Sequence, residues 1–128
     1  MRGRAAHATI QTMVRTVLIV DDHAGFRGTA RALLEADGYH VVGEAADGAS
    51  AIAEAARLRP ALVLLDVRLP DLDGFEVAAR LAVGAHPPVV VLTSSRDAST
   101  YRRRLAGSSA SGFIPKSELS GEALAALA

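Results

Sequence analysis

Short apolar runs without polar alternation recur along the chain at Thr16–Val20 (TVLIV), Val41–Glu44 (VVGE), Leu62–Leu65 (LVLL), Val89–Leu92 (VVVL) and Gly112–Pro115 (GFIP). Each is too short for a helix and has no polar face, so each suits a strand covered on both sides. Alanine- and arginine-rich stretches with helical spacing lie between them. Gly25–Asp37 places Phe26, Ala30, Leu33 and Leu34 on one stripe and closes at Gly38, a residue that tolerates the left-handed turn of a helix end. A second helix is expected after Asp47 as N-cap, carrying Ile52, Ala55, Ala56 and Leu58 until Pro60 stops it. A third is expected over Gly74–Val83 with Phe75, Ala78, Ala79 and Leu81 inward. A fourth starts near Asp97; only Tyr101 and Leu105 among Arg102, Arg103 and Arg104 form its apolar face, so it is expected to be mobile. The last follows Ser120, and the chain stops within it at Ala128. Strand then helix, repeated five times, predicts an α/β fold: an open, doubly wound, five-stranded parallel sheet with helices on both faces. In such sheets ligands bind outside the carboxyl ends of the strands, where the strand order reverses.

The length of 128 residues fits one domain. The 14 basic and 14 acidic side chains cancel, which leaves no overall electrostatic footprint for nucleic acid or an anionic membrane. Without cysteine there is no disulfide framework, zinc ribbon, iron–sulfur cluster or thiol nucleophile. No apolar run reaches the ~20 residues of a membrane span, and MRGRAAHATIQT lacks the apolar core of a signal peptide. The expected compartment is the cytoplasm. Among the 14 basic residues Lys116 is the single lysine.

The first strand ends in Asp21, Asp22 and His23, and the third ends in Asp66. If those strands are neighbours, their carboxylates converge, and like charges so close need a cation. Mg²⁺, with its preference for carboxylates, waters and phosphate oxygens, is the natural occupant. The fourth strand ends in Thr93 and the fifth leads to Lys116. Carboxylates, a hydroxyl and a compact ammonium at one sheet edge make a phosphoryl-transfer constellation, in which one carboxylate is the nucleophile. Taken singly, each has a plainer reading: Asp21 or Asp22 as a turn former, Thr93 with Ser94 and Ser95 as polar loop, Lys116 as a solvated lysine. Their coincidence at four strand ends favours the site. Asp71 and Asp73 in LPDLDG read as turn residues, Arg102–Arg104 as a solvated helix face, and His7, His23, His40 and His86 lack metal-ligand spacing and receive no role.

At these residues the chain resembles the receiver domain of bacterial two-component response regulators, through VLIVDDH, GYHVVGEAADG, LVLLDVRLPDLDGFE, VVVLTSS and GFIPKSEL in order and spacing. DDH and KSEL are most similar to the NarL/FixJ type, usually joined to a helix-turn-helix DNA-binding module. The resemblance implies a flavodoxin-like, CheY-like (βα)5 fold with strand order 2-1-3-4-5. It implies Asp66 as phosphoacceptor, with Asp22, Asp66 and the backbone carbonyl of Arg68 ligating Mg²⁺ and Asp21 acting through a metal-bound water. Lys116 would pair with the phosphoryl group, Thr93 would move to hydrogen-bond it, and Phe113 would be the aromatic that turns inward as Thr93 withdraws. The implied partners are a sensor histidine kinase and, on phosphorylation, a second copy docked through the face of the fourth and fifth helices. No nucleic acid is contacted by this domain and no membrane is involved. It would be a switch catalysing only its own phosphoryl transfer and autodephosphorylation, with transcription as the expected output.

The chain departs from many receivers in that Ser117, not proline, follows Lys116, and that Phe113 has no hydroxyl. Arg68 is long enough to reach over a phosphoryl group and is expected to tune its lifetime. Residues 1–12 are expected to be a disordered extension or tag remnant, and 13–128 the receiver, either cut before its output module or acting alone by docking. A haloacid dehalogenase-like phosphatase is the enzymatic alternative, but its second aspartate, two residues after the nucleophile, is replaced by Arg68. A pseudo-receiver lacking the acidic or lysine positions is disfavoured because all are present. A dinucleotide-binding domain is disfavoured because no G-x-G-x-x-G follows the first strand.

Overall fold

The computed structural model describes residues 15–128, so the expectation for residues 1–12 lies outside the described residues. Strands and helices alternate: β1 Thr16–Val20, α1 Ala24–Ala36, β2 His40–Ala45, α2 Gly48–Leu58, β3 Leu62–Asp66, α3 Gly74–Ala82, β4 Val89–Ser94, α4 Arg102–Ala106, β5 Gly112–Pro115 and α5 Gly121–Leu127. The strands form one sheet in the order β2-β1-β3-β4-β5, every neighbouring pair parallel.

The absence of polar alternation in the strands is explained by a core on each face. Val17, Ile19, Leu62, Leu64, Val91 and Ile114 point to the side where Ala30 and Leu34 of α1 and Leu124 of α5 pack. Leu18, Val20, Val63, Leu65 and Leu92 point to the other, against Ala51 and Ala55 of α2, Val77, Ala78 and Leu81 of α3, and Tyr101. The leucines of β3 are fully buried, each worth about 2 kcal/mol of apolar transfer.

The helix ends follow local chemistry. Asp47 accepts a hydrogen bond from Ser50 N at 2.7 Å and starts α2, as expected of an N-cap. That helix ends at Leu58, two residues before Pro60, and its C-cap Arg59 takes the left-handed conformation (φ 48°). The fourth helix differs from the single helix expected near Asp97. A 3-10 turn over Ala98–Tyr101 precedes α4, which has five residues. Asp97 accepts from the Ser99 hydroxyl and caps no backbone amide, and the thin apolar face gives a longer helix little to bury. The strands β3 and β4 run past their expected ends, so Asp66, Thr93 and Ser94 belong to the sheet itself. The plainer alternative, Thr93 and Ser94 as polar loop, does not hold.

Candidate functional site

Register builds the site. Val20 pairs with Leu65 and Asp66 with Thr93, so Asp21, one step beyond Val20, comes level with Asp66 at the carboxyl edge of β1, β3 and β4. Lys116 follows β5 directly. Asp21 is fully buried, and Asp66 and Thr93 are 5% and 0% exposed. The Lys116 ammonium lies 2.6 Å from Asp21 Oδ2 and 3.4 Å from Asp66 Oδ2. It also sits 4.6 Å from the centre of the Phe26 ring, a cation–π contact that holds the chain end over the site.

The surrounding backbone holds the carboxylates still. Arg27 Nη1 donates to the Asp21 carbonyl at 2.7 Å while its Nε pairs with Glu44, and Arg31 binds the other Glu44 oxygen. The Arg31 hydrogen bond, aided by Arg27, holds Glu44 below the usual carboxylate range. The Arg68 amide donates to Asp66 Oδ1 at 3.3 Å. On the far side of the loop Asp71 accepts from the Gly48 and Ala49 amides, so it ties α2 to the β3–α3 loop and does more than form a turn. Asp73 caps α3 at Phe75 N.

Burial pushes the Asp66 carboxyl up and the Asp21 charge adds to it; Lys116 and the Arg68 amide pull it partly back. Burial alone would lower Lys116, but its hydrogen bonds and charge contacts with Asp21 and Asp66 outweigh that and raise it. A buried acid whose pKa is raised above 3.8 destabilises the fold once ionised. We therefore expect Asp66→Asn to raise stability at neutral pH by about 1 kcal/mol, roughly 4 °C in Tm. Because folding favours the protonated form of Asp66, the advantage narrows as pH falls through the Asp66 pKa. Thermal melts of the two proteins between neutral and acid pH test this, and a variant less stable than wild type at neutral pH contradicts it.

The sequence-predicted residues do not all gather. Asp21, Asp22, Asp66 and Lys116 do, and Thr93 stands beside Asp66 in the register with its hydroxyl buried and without a hydrogen-bond partner among the described residues. Phe113 is half-buried and belongs to an aromatic row: its ring lies 5.8 Å from Tyr101, which lies 6.1 Å from Phe75. Tyr101, whose hydroxyl is 3.3 Å from Ser94 Oγ, was given only a core position by the periodicity. The Arg68 side chain is exposed. Two expectations are corrected. Arg104 is no merely solvated residue: it bonds Asp73 Oδ2 at 2.7 Å and stacks 4.2 Å above Phe75. His23, denied a role, places Nδ1 3.3 Å from Asp21 and 3.1 Å from Asp22.

Chemically, carboxylates from three aspartates converge, and two of them, Asp21 and Asp66, share one ammonium. Among the described residues Asp21 Oδ2 has no hydrogen-bond partner beyond the Lys116 ion pair. This donor set, oxygen-rich and short of positive charge, fits a hard divalent cation.

Over residues 17–128 the chain matches the family described as response regulator receiver domain. The chain belongs to that family. The receiver is 40% identical over 106 residues to the transcription regulator BvgA of Bordetella pertussis, covering 83% of this chain and 51% of BvgA. It is 37% identical over 114 residues to the transcriptional regulatory protein PdtaR of Mycobacterium tuberculosis, covering 82% and 56%. The receiver thus spans about half the length of these curated relatives. Among solved structures, the signal receiver domain of NarL from Mycobacterium tuberculosis superposes with a TM-score of 0.77 at 34% identity, covering 88% of this chain and 95% of that one. The sheet order 2-1-3-4-5 expected from the resemblance is the order found. No helix among the described residues is long and apolar enough to cross a membrane.

Proposed function

We propose that this receiver accepts a phosphoryl group on Asp66 from a histidine kinase and changes conformation to control an output. The observation that carries the reading is the pair of buried carboxylates, Asp21 and Asp66, that share the Lys116 ammonium at the sheet edge. Asp22, Asp66 and the backbone carbonyl of Arg68 would hold Mg²⁺, with Asp21 acting through a bound water. The ion supplies neutralisation of phosphoryl charge. An Asp66 carboxylate oxygen attacks phosphorus as the bond to the donor imidazole nitrogen breaks, and that nitrogen leaves with the bonding pair. The phosphohistidine is already activated, so the protein's work is positioning and charge balance.

The added dianion then attracts Lys116 and the unpartnered Thr93 hydroxyl through charge-assisted hydrogen bonds. Movement of Thr93 frees space for Phe113, and the Tyr101 row carries the change to α4. The shift is limited by the contact energy gained; reversal from 1:99 to 99:1 needs about 5.5 kcal/mol. Arg68 is the residue to tune phosphoryl lifetime. That BvgA and PdtaR are transcription regulators supports a transcriptional output through a DNA-binding module, with dimerisation on the α4 and α5 face; action by docking alone is the second form of the same switch. Arg68 where a dehalogenase-type phosphatase carries its second aspartate weighs against that enzyme.

Incubation with acetyl phosphate and Mg²⁺ tests the reading. Wild type gains acid-labile phosphate, the gain is lost with chelator, and Asp66→Asn gains none. Equal labelling of Asp66→Asn overturns the assignment.

A further inference from the structure

The cation site contains a nitrogen. Asp21, Asp22, His23 and Asp66 each present one ligand atom, and all of these atoms lie within 4.8 Å of one another. His23 Nδ1 faces Asp21 Oδ1 at 3.3 Å and Asp22 Oδ1 at 3.1 Å, and the His23 amide donates to the same Asp21 oxygen at 2.9 Å. The amide contact fixes the backbone of His23 over the carboxylates. Two arrangements satisfy these contacts: an Nδ1–H donating to the carboxylates, or a bare Nδ1 that shares a cation with them. A metal at ~2.0–2.2 Å from each ligand places ligand atoms about 3–4 Å apart, close to the spacing found. The ring is 73% exposed, so it can rotate onto an ion without disturbing the core.

We infer that His23 Nδ1 is a ligand to the ion held by Asp22 and Asp66, which extends the site from hard cations to transition ions that take imidazole, such as Co²⁺, Ni²⁺ and Zn²⁺. This rests on the reading of the carboxylates as a cation site. Mg²⁺ gains little from a nitrogen donor, whereas imidazole suits the later first-row ions, whose affinity for mixed nitrogen and oxygen sites rises along the series. An aspartate-only site favours these ions as well, so the distinguishing quantity is the effect of removing the ring. The ring and Asp22, at 73% and 39% exposed, are the solvent-accessible members of the cluster, whereas Asp21 and Asp66 are buried.

The experiment titrates wild type, His23→Ala and Asp22→Ala with Mg²⁺ and, separately, with Co²⁺ in the absence of phosphodonor, and records proton spectra of the Co²⁺ forms. His23→Ala lowers Co²⁺ affinity about tenfold and leaves Mg²⁺ affinity within about twofold. Wild type shows a hyperfine-shifted, exchangeable imidazole N–H resonance that His23→Ala lacks. Unchanged Co²⁺ affinity, or the same resonance in His23→Ala, overturns the inference. An equal loss for both ions does so too, because it means that the ring organises the carboxylates without touching the metal. Failure of the underlying cation site looks different: Asp22→Ala then leaves both affinities at the wild-type value, or wild type binds neither ion.

Discussion

Gly74→Ala is expected to destabilise the receiver by about 3 kcal/mol, roughly 10 °C in Tm. Gly74 opens α3 at the end of a loop folded back against β3, with its amide donating to the Val67 carbonyl at 2.7 Å. A Cβ there would stand 2.8 Å from Val67 Cα and closer still to the Asp66 carbonyl oxygen. Both obstacles are backbone, so no side-chain rotation relieves them. The loop must move, and the residue that it moves is Asp66. Loss of stability is therefore expected together with weaker Mg²⁺ binding. Gly28, inside α1, is the control: nothing lies within 4 Å of a Cβ at that position, so Gly28→Ala is expected to stabilise by about 0.5–1 kcal/mol through helix propensity. Thermal melts with and without Mg²⁺ check both. A Gly74→Ala protein that melts with wild type would show that the loop has room that its backbone contacts deny.

The second large effect concerns Lys116. Lys116→Ala removes the ammonium that, among the described residues, faces Asp21 and Asp66, which are almost fully buried. Breaking a fully buried pair costs about 3–5 kcal/mol. Lys116 is 17% exposed and Asp66 can take up a proton, so about 2 kcal/mol is the expected loss at neutral pH. A divalent ion offsets part of the same deficit. Saturating Mg²⁺, which stabilises by about 2.7 kcal/mol at a hundred times its Kd, therefore shifts the Tm of Lys116→Ala more than that of wild type. Lys116→Arg keeps the charge but presents a planar fork where a compact ammonium sits under the Phe26 ring. It is expected to accept phosphate and to signal poorly. An equal Mg²⁺ shift in wild type and Lys116→Ala would remove Lys116 from charge balance at the site, and normal output from Lys116→Arg would remove the requirement for its shape.

The sheet was legible in the sequence because burial on both faces leaves a plain mark: β3 and β4 contain no polar residue until the site begins, and β1 only its first, Thr16. The site was legible for the same reason, since Asp21, Asp66, Thr93 and Lys116 are the first polar groups after those runs and parallel register aligns strand ends. What escaped lies between elements. Arg104 meets Asp73 across 31 positions and stacks on Phe75, and no periodicity encodes such a contact. Tyr101 stands between Phe75 and Phe113 at the end of a 3-10 turn that precedes α4, whereas the spacing predicted a regular helix. His23 escapes spacing rules because these seek histidines in sequence pairs; it stands against two adjacent aspartates, with Asp66 of β3 within 4.8 Å.

Trapping the phosphorylated residue tests the central claim most directly. After reaction with acetyl phosphate and Mg²⁺, borohydride reduction converts an aspartyl phosphate to homoserine, which peptide mass spectrometry locates. The account predicts homoserine at Asp66 and unmodified Asp21 and Asp22. Homoserine at Asp21 or Asp22, or none anywhere in a protein that binds Mg²⁺, would contradict it.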